Sequence, residues 1–303
     1  MNFFSLQRLS RFAFSLTITT TALLGAPLWA DTQEPLTFTD DKGRTLTLTQ
    51  PAKKIVSLVP HVTELLFEAG AGEQIIGAAE YSNYPEAAKS IPRVGDYYAI
   101  NLETIVELKP DLIFAWPGGP TEQQLNRLQE LGFNLFYSDP KSFADIQATL
   151  VKFGQLTGNE ATAQVTAQNF QKRITELSSQ YANTEKITVF YQVWHDPIYT
   201  VSKQSFINEV LEVCGGDNVF KDLPLAAPQL GKEAVIDAQP QVLISQSNST
   251  IGIDFWKEGA MLEAVNKGQA FAVSPDFIAR PTPSLLQGTE LICSGIAQIR
   301  AKI

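Results

Sequence analysis

The 303-residue sequence has few of the histidines and cysteines on which many metal-dependent and nucleophilic enzymes rely. It contains two histidines, two cysteines and two methionines. His61 and His195 lack partners at the spacing of a zinc site, and neither a Gly-x-Ser-x-Gly elbow nor a phosphate-binding loop with its lysine is present. These absences argue against a metallo-hydrolase and against catalysis in general. We therefore interpret both histidines as loop or pocket-lining residues.

After Ala30 the sequence has no apolar run long enough to cross a bilayer. The segment from Met1 to Ala30 follows a different pattern: Arg8 and Arg11 are its only charges, and Phe12–Leu24 is apolar. This pattern predicts a secretory signal peptide over residues 1–30, cleaved after Ala30. No cysteine follows the run, so a lipid anchor is not expected. The alternative interpretation is an N-terminal membrane anchor.

Positive charge is also scarce. Without Arg8 and Arg11 the chain has 21 basic and 32 acidic residues, a net charge of −11. This balance argues against nucleic acid and against anionic membrane surfaces as partners. In an oxidising compartment Cys214 and Cys293 are expected to form one disulfide. Two free buried thiols are the alternative.

Strands and short helices alternate along most of the chain, which predicts parallel α/β sheets. Alternating residues around Asp-Lys-Gly predict an N-terminal hairpin over 36–51. Thr63 is expected to cap a helix that stops at Gly70, and Asn101 is expected to cap a helix over 102–109.

One segment interrupts this alternation. Glu160–Tyr181 contains neither glycine nor proline, and it predicts a single helix about 33 Å long. Such a helix is long enough to link two lobes. We therefore predict an N-terminal lobe over 31–158, a bridging helix over 159–183 and a C-terminal lobe over 184–303.

The two halves share short patterns in the same order. ETIVELKPDLIFA, which starts at Glu103, matches EAVIDAQPQVLIS, which starts at Glu233. ELLFEAGAG, which starts at Glu64, matches EVLEVCGGD, which starts at Glu209. These matches predict two similar α/β lobes with parallel central sheets and a ligand cleft between them.

Aromatic side chains gather at the predicted ends of strands, where open α/β sheets bind ligands. They are Tyr81, Tyr84, Tyr97, Tyr98, Trp116 and Trp194. Aromatic walls with few charges suit a large ligand with a broad apolar face. Arg93, Asp276 and Arg280 are the candidates for its polar contacts. The alternative is that the aromatic residues simply pack the core or the lobes.

Four segments together resemble the periplasmic cobalamin-binding proteins of ABC importers: KIVSLVPHVTELLFEAGAGEQIIGAAEYSNYP, NLETIVELKPDLIFAW, INEVLEVCGGDNVF and SPDFIAR. More broadly they resemble substrate-binding proteins whose two lobes are joined by one long helix. The resemblance covers nearly the whole chain after Ala30. It implies a periplasmic receptor that captures a corrinoid and delivers it to an inner-membrane ABC permease dimer. Cobalamin would be cargo, not a cofactor, and we expect a monomer that is not an enzyme.

The resemblance also implies roles for single residues. It matches Tyr81, Trp116, Asp276 and Arg280 to corrinoid-contacting positions, and it puts Tyr97 where a tryptophan is typical. Trp194, at the end of a predicted strand, completes the expected ligand-binding set.

Further implied roles lie outside the ligand set. Glu103 and Glu233 match the glutamates, one per lobe, that dock onto arginines of the permease dimer; their alternative interpretation is ordinary first-turn helix acids. Cys214 and Cys293 match the disulfide of the family. The sequence departs at Ala226–Ala227, where relatives can carry a tryptophan.

A haem or ferric-siderophore receptor of the same class remains the alternative function. Anionic siderophores favour several basic residues in the cleft, and Arg93 and Arg280 are the obvious ones here. Haem favours a Tyr or His axial ligand, and His61 follows a predicted strand.

Overall fold

A computed structural model of the chain describes residues 35–118 and 121–303. The predicted signal peptide over residues 1–30 lies outside the described residues. Within the described ranges no helix combines the length and the hydropathy that a membrane span requires.

The N-terminal lobe is an α/β unit built on a parallel sheet. Its strands are β1 (Leu36–Thr39), β2 (Thr45–Leu48), β3 (Ile55–Ser57), β4 (Ile75–Ala78), β5 (Leu112–Ala115) and β6 (Leu135–Tyr137). Its helices are α1 (Pro60–Glu68), α2 (Leu102–Leu108), α3 (Glu122–Glu130) and α4 (Phe143–Thr157), with 3-10 turns at Gly72–Gln74 and Glu86–Ser90. β1 and β2 form the predicted antiparallel hairpin, and the parallel sheet has the order β4-β3-β5-β6. Helix α4 is not among the elements predicted above.

Helix α5 (Glu160–Tyr181) has the bounds that the sequence predicts. It buries a stripe of apolar side chains spaced three or four residues apart, as expected for one face of a helix. The stripe consists of Ala163, Ala167, Phe170, Ile174 and Leu177. These residues join a core cluster that draws side chains from both lobes, so α5 is packed against the lobes and is not a free linker.

The C-terminal lobe repeats the architecture. Its strands are β7 (Ile187–Gln192), β8 (Trp194–His195), β9 (Ile198–Tyr199), β10 (Gly216–Asn218), β11 (Gln229–Leu230), β12 (Val242–Gln246) and β13 (Ala270–Val273). Its helices are α6 (Phe206–Val213), α7 (Lys232–Ala238), α8 (Ile251–Asp254), α9 (Glu263–Asn266), α10 (Pro275–Ile278) and α11 (Leu285–Arg300), with a 3-10 turn at Glu258–Ala260. The parallel sheet has the order β10-β7-β12-β13, and β8, β9 and β11 form a small antiparallel sheet.

The sequence repeat corresponds to a structural repeat. Helices α2 and α7 are equal in length and carry the matched glutamates at the same helical position, and each leads into a matched strand, β5 or β12. Both helices end in a residue with left-handed backbone, Lys109 at φ +49° and Gln239 at φ +39°, directly before a proline. The two parallel sheets also have the same strand order, so the two lobes share one topology.

One predicted helix cap is confirmed and one is wrong. The Asn101 side chain accepts a 3.0 Å hydrogen bond from the Thr104 N–H at the start of α2. Helix α1, however, begins at Pro60, because proline fits the first helical position without needing an N–H. Thr63 is therefore inside the helix, buried, and its Oγ1 donates to Ser57 Oγ at 2.8 Å.

The predicted disulfide joins Cys214, at the end of α6, to Cys293 in α11. Both cysteines are buried in the core cluster. The bond therefore ties the last helix of the chain to the C-terminal lobe.

Candidate functional site

A tight turn at the carboxyl edge of the N-terminal sheet presents Tyr97 and Tyr98 to solvent. Asp96 Oδ1 accepts hydrogen bonds from the Tyr98 and Ala99 N–H groups at 2.8 and 2.9 Å. Gly95 stands at φ +122°, and a Cβ there would lie 2.4 Å from the Ala99 carbonyl oxygen, so the turn requires glycine. The turn leaves Tyr97 52% exposed.

Trp116 follows β5 at the same edge and is half-buried. Its Nε1 donates to Asp139 Oδ1 at 3.0 Å, and Asp139 follows β6, the neighbouring strand. The indole ring lies 6.3 Å from the Tyr97 ring, between centroids, at an interplanar angle of 43°. Because the carboxyl ends of parallel strands meet at one edge, these residues form a continuous aromatic surface.

A cleft of about 330 Å³ lies between the lobes. The N-terminal lobe lines it with His61, Trp116, Asp139, Pro140 and Lys141. The C-terminal lobe lines it with Gln204, Ser205, Phe206, Ala226, Ala279 and Pro281. Trp116 thus faces the opposite lobe across an opening instead of filling the core of its own lobe.

His61, near the start of α1, contributes an uncharged imidazole to this cleft. Burial lowers its pKa to about 4, against the opposing effects of the Ser138 backbone and Asp139, while Arg280 lowers it further. Its Nε2 is inaccessible and finds no hydrogen-bond partner among the described residues. Across residues 35–118 and 121–303, no group of three or more His, Cys, Asp or Glu is arranged to hold a metal ion.

Asp276 and Arg280 come from α10 and the segment after it. Asp276 is exposed, and its backbone N–H donates to the Ser274 side chain at 3.2 Å. Arg280 is held on two sides: its Nε donates to Glu64 at 2.9 Å and its Nη2 to the Asp276 carbonyl at 3.1 Å. Its chain neighbours Ala279 and Pro281 line the cleft.

Glu64 is a partner of this site that the sequence reasoning missed. It is fully buried in α1, and it accepts hydrogen bonds from Arg280 and from Thr282 Oγ1, the latter at 2.6 Å. Both donors belong to the C-terminal lobe. The match between Glu64 and Glu209 in the sequence repeat was the available signal, but it carried no information about the partner.

Of the six predicted ligand residues, only Trp116 is among those that line the cleft. Tyr97 lies beside Trp116, and Arg280 adjoins the lining residues Ala279 and Pro281.

Tyr81 and Trp194 are exposed elsewhere. Tyr81 follows β4 with left-handed backbone, at φ +65°, and is 77% exposed. Trp194 lies in β8 and is 55% exposed, with its Nε1 donating to the Asp196 carbonyl at 2.9 Å. Both rings are free to contact a ligand larger than the cleft itself.

Glu103 and Glu233 occupy the second positions of α2 and α7 and are exposed. They are equivalent residues of the repeat, since α2 and α7 are its matched helices. Each lobe therefore presents an equivalent glutamate in the first turn of a matching helix.

Residues 55–276 match the family described as periplasmic binding protein. A vitamin B12-binding protein of Vibrio cholerae serotype O1 is 36% identical over 245 residues, covering 80% of this chain and 89% of that protein.

Two solved structures have folds similar to that of this chain. The periplasmic vitamin B12 binding protein BtuF of Vibrio cholerae superposes with a TM-score of 0.75 at 36% identity, covering 82% of this chain and 98% of that one. The periplasmic heme-binding protein RhuT of Roseiflexus sp. RS-1 has a TM-score of 0.72 at 21% identity, covering 82% and 99%. At that identity the second likeness concerns the fold alone.

Proposed function

The chain belongs to the periplasmic binding protein family, and from that premise we propose that it captures cobalamin or a related corrinoid for an ABC import permease. The relatives named vitamin B12-binding protein, at 36% identity, support this ligand class. The cargo is carried and released, so no bond is made or broken.

The observation that carries the proposal is the aromatic surface of Trp116 and Tyr97, with ring centroids 6.3 Å apart, at the mouth of a cleft between two lobes. A corrin has broad apolar flanks, and aromatic rings bury such flanks favourably. Tyr81 and Trp194 would extend the same surface over the parts of the ligand outside the cleft.

Polar contacts would come from the C-terminal lobe. Asp276 is exposed and offers a carboxylate to amide N–H groups of the corrin side chains. Arg280 uses Nε and one N–H of Nη2 within the protein, so Nη1 and the second N–H of Nη2 can still donate to an amide oxygen. A guanidinium held in this way loses little conformational entropy when it binds.

Delivery would use Glu103 and Glu233. A permease dimer has two-fold symmetry, and a receptor with two lobes of the same topology can offer one acid to basic residues of each subunit. The same proposal includes export by the signal peptide over 1–30, with cleavage after Ala30 and no lipid anchor. It also includes a monomeric, non-enzymatic receptor with lobe boundaries at 31–158, 159–183 and 184–303.

Haem is the alternative ligand, and His61 is the observation that favours it. Its imidazole is neutral and lines the cleft, as a ligand of haem iron would have to be, but Nε2 is inaccessible in this conformation, so the side chain would have to reorient to bind iron. Corrinoid binding needs no such ligand, so the two candidates make different demands on His61.

Calorimetric titration of the purified protein with cyanocobalamin, haemin and a ferric siderophore tests the proposal. We expect saturable binding of cyanocobalamin, and weak or absent binding of the other two. Binding of haemin alone would reject the corrinoid assignment in favour of the alternative.

A further inference from the structure

Glu64 and Glu209 occupy equivalent positions in the two lobes, because each begins one member of a matched pair of sequence segments. Gly70 and Gly215, which follow the two helices at equivalent positions, both have left-handed backbone, with φ of +87° and +73°. Each glutamate therefore lies on the helix that connects the first two strands of the parallel sheet of its lobe.

Glu64 makes its side-chain contacts with the C-terminal lobe. Oε2 lies 2.9 Å from Arg280 Nε and Oε1 lies 2.6 Å from Thr282 Oγ1, just before α11. Glu64 and Thr282 are fully buried, and the Arg280 side chain is 23% exposed. A buried carboxylate is costly unless it is paired and hydrogen-bonded, so this contact between lobes strongly favours one relative position of its partners.

Glu209 makes the reverse contact. Its Oε2 accepts a 2.6 Å hydrogen bond from the N–H of Phe143, the first residue of α4 in the N-terminal lobe. The N–H groups of a first helical turn have no partner within the helix, and they carry the positive end of its dipole. A carboxylate from the other lobe satisfies one of them here.

The segments that Glu64 and Glu209 contact are also at equivalent places in the two lobes. Helix α4 follows β6, the last strand of its parallel sheet, and α11 follows β13, the last strand of the other sheet, after the short α10. Glu209 thus contacts the first residue of the closing helix of the opposite lobe, and Glu64 contacts the segment just before that helix. The two contacts are reciprocal between the lobes.

Both contacts border the cleft. Arg280 is flanked by the cleft residues Ala279 and Pro281. Phe143 and Glu209 follow the cleft residues Lys141 and Phe206 by two and three positions.

We propose that Glu64 and Glu209 are paired positioning residues that fix the spacing between the lobes and thereby the width of the ligand cleft. Neither is expected to touch the ligand. Glu64 also fixes the orientation of the Arg280 guanidinium through the hydrogen bond that it accepts from Nε. The consequence for ligand affinity rests on the proposed function, whereas the consequence for lobe spacing does not.

The test compares Glu64→Gln and Glu209→Gln with two matched controls, Glu68→Gln and Glu212→Gln. The controls lie further along the same helices, and their side chains make no hydrogen bond to the opposite lobe among the described residues. Amide hydrogen exchange is measured at Phe143 and at Leu285, the first residues of α4 and α11, in the ligand-free protein.

We expect Glu209→Gln to accelerate exchange at Leu285, and Glu64→Gln to accelerate it at Phe143, by about tenfold in each case. Each of these amides lies in the lobe that carries the substitution but next to the glutamate of the other lobe. Small-angle scattering should show a larger radius of gyration for both variants and for neither control. If Glu64→Gln does not fold, the test is the rate of amide exchange at Leu285 in Glu209→Gln.

The proposal would be overturned if each variant accelerated hydrogen exchange only at the amide next to the substituted glutamate and left the radius of gyration unchanged. Cyanocobalamin affinity should fall about tenfold in both variants, by loss of preorganisation. If the wild-type protein fails to bind cyanocobalamin, the proposed function is wrong, but the exchange and scattering results still decide the role of the glutamates.

Discussion

The indole Nε1 of Trp116 donates a 3.0 Å hydrogen bond to Oδ1 of Asp139, and both residues line the cleft between the lobes. They follow adjacent parallel strands, β5 and β6. The hydrogen bond fixes the orientation of the indole before any ligand arrives, so its broad face is available at little entropic cost.

Trp116→Ala should weaken cyanocobalamin binding by about thirtyfold, because a central aromatic anchor contributes about 2 kcal/mol to an interface. Trp116→Phe keeps a ring but loses the hydrogen bond to Asp139, so we expect a smaller loss of about fivefold. Calorimetry measures both dissociation constants. Equal losses for the two variants would mean that the ring face is not what binds the ligand.

His61 should make the stability of the protein depend on pH. Its pKa falls from 6.5 to about 4 on burial, so the folded state keeps it neutral while the unfolded state takes up a proton. This contribution is complete above pH 6.5 and is lost as the pH falls from 6.5 to about 4. The free energy of unfolding should decrease by about 3 kcal/mol across this window.

His61→Asn provides the reference, since asparagine does not titrate. Burial raises the pKa values of Glu68 and Glu209, so these groups favour the folded state as the pH falls, but they are present in both proteins and cancel in the difference. Denaturant unfolding between pH 7 and pH 4 gives the two curves. Parallel curves would show that His61 titrates normally in the folded protein.

Reversing the charge of Glu103 and Glu233 together, with arginine at both positions, should abolish uptake and leave ligand affinity unchanged. The two acids lie on helices away from the residues that line the cleft. In the proposed docking, arginines at these positions would face basic residues of the permease, and such like-charge contacts cost several kcal/mol. Uptake is measured in cells that depend on the importer, and affinity is measured on the purified protein.

Glu107 and Asp237 offer a matched control, because they are exposed, lie four residues further along the same two helices and are also equivalent in the repeat. Their double replacement by arginine should reduce uptake less. A loss of ligand affinity in the Glu103 and Glu233 double variant would reject the docking role.

Replacing Cys214 and Cys293 by alanine should lower the free energy of unfolding by about 4 kcal/mol, from the entropy of a loop with a sequence separation of 79 residues. The effect is measured by denaturant titration at constant pH. Cyanocobalamin affinity should stay within about twofold, because the bond is buried away from the cleft-lining residues. A large loss of affinity with little loss of stability would contradict the view that the disulfide stabilises the fold without affecting ligand binding.

The position of Trp116 in the cleft could be predicted from the sequence, and the contacts between lobes could not. Trp116 follows an apolar strand bounded by proline and glycine, and the rule that ligands bind at the carboxyl edge of a parallel sheet puts it in the cleft. Glu64 and Arg280 are 216 residues apart. Their pairing depends on how two finished lobes dock, which no local pattern encodes.

Local chemistry also misled in one place. Thr63 has the side chain of a helix cap, but Pro60 fits the first helical position, so the cap is Val59, four residues earlier. The threonine is then free to bind Ser57 in the interior.

A substitution at Ala226 tests directly how the C-terminal lobe contributes to ligand affinity. Ala226 lines the cleft from the C-terminal lobe, opposite the lobe that carries Trp116. An indole there would add a second aromatic wall. We expect Ala226→Trp to bind cyanocobalamin about tenfold more tightly, through the extra apolar area that it buries.

Ala227→Trp is the matched control, because Ala227 is the next residue, is also exposed and is not one of the residues that line the cleft. It adds the same ring to the same loop, so any gain that it shares with Ala226→Trp reflects general hydrophobicity and not a second wall. Slower dissociation in Ala226→Trp alone, measured by stopped-flow, is the expected signature, since improved contacts act mainly on the off-rate. Weaker binding in Ala226→Trp would mean instead that this cleft accommodates its ligand only with a small residue at that position.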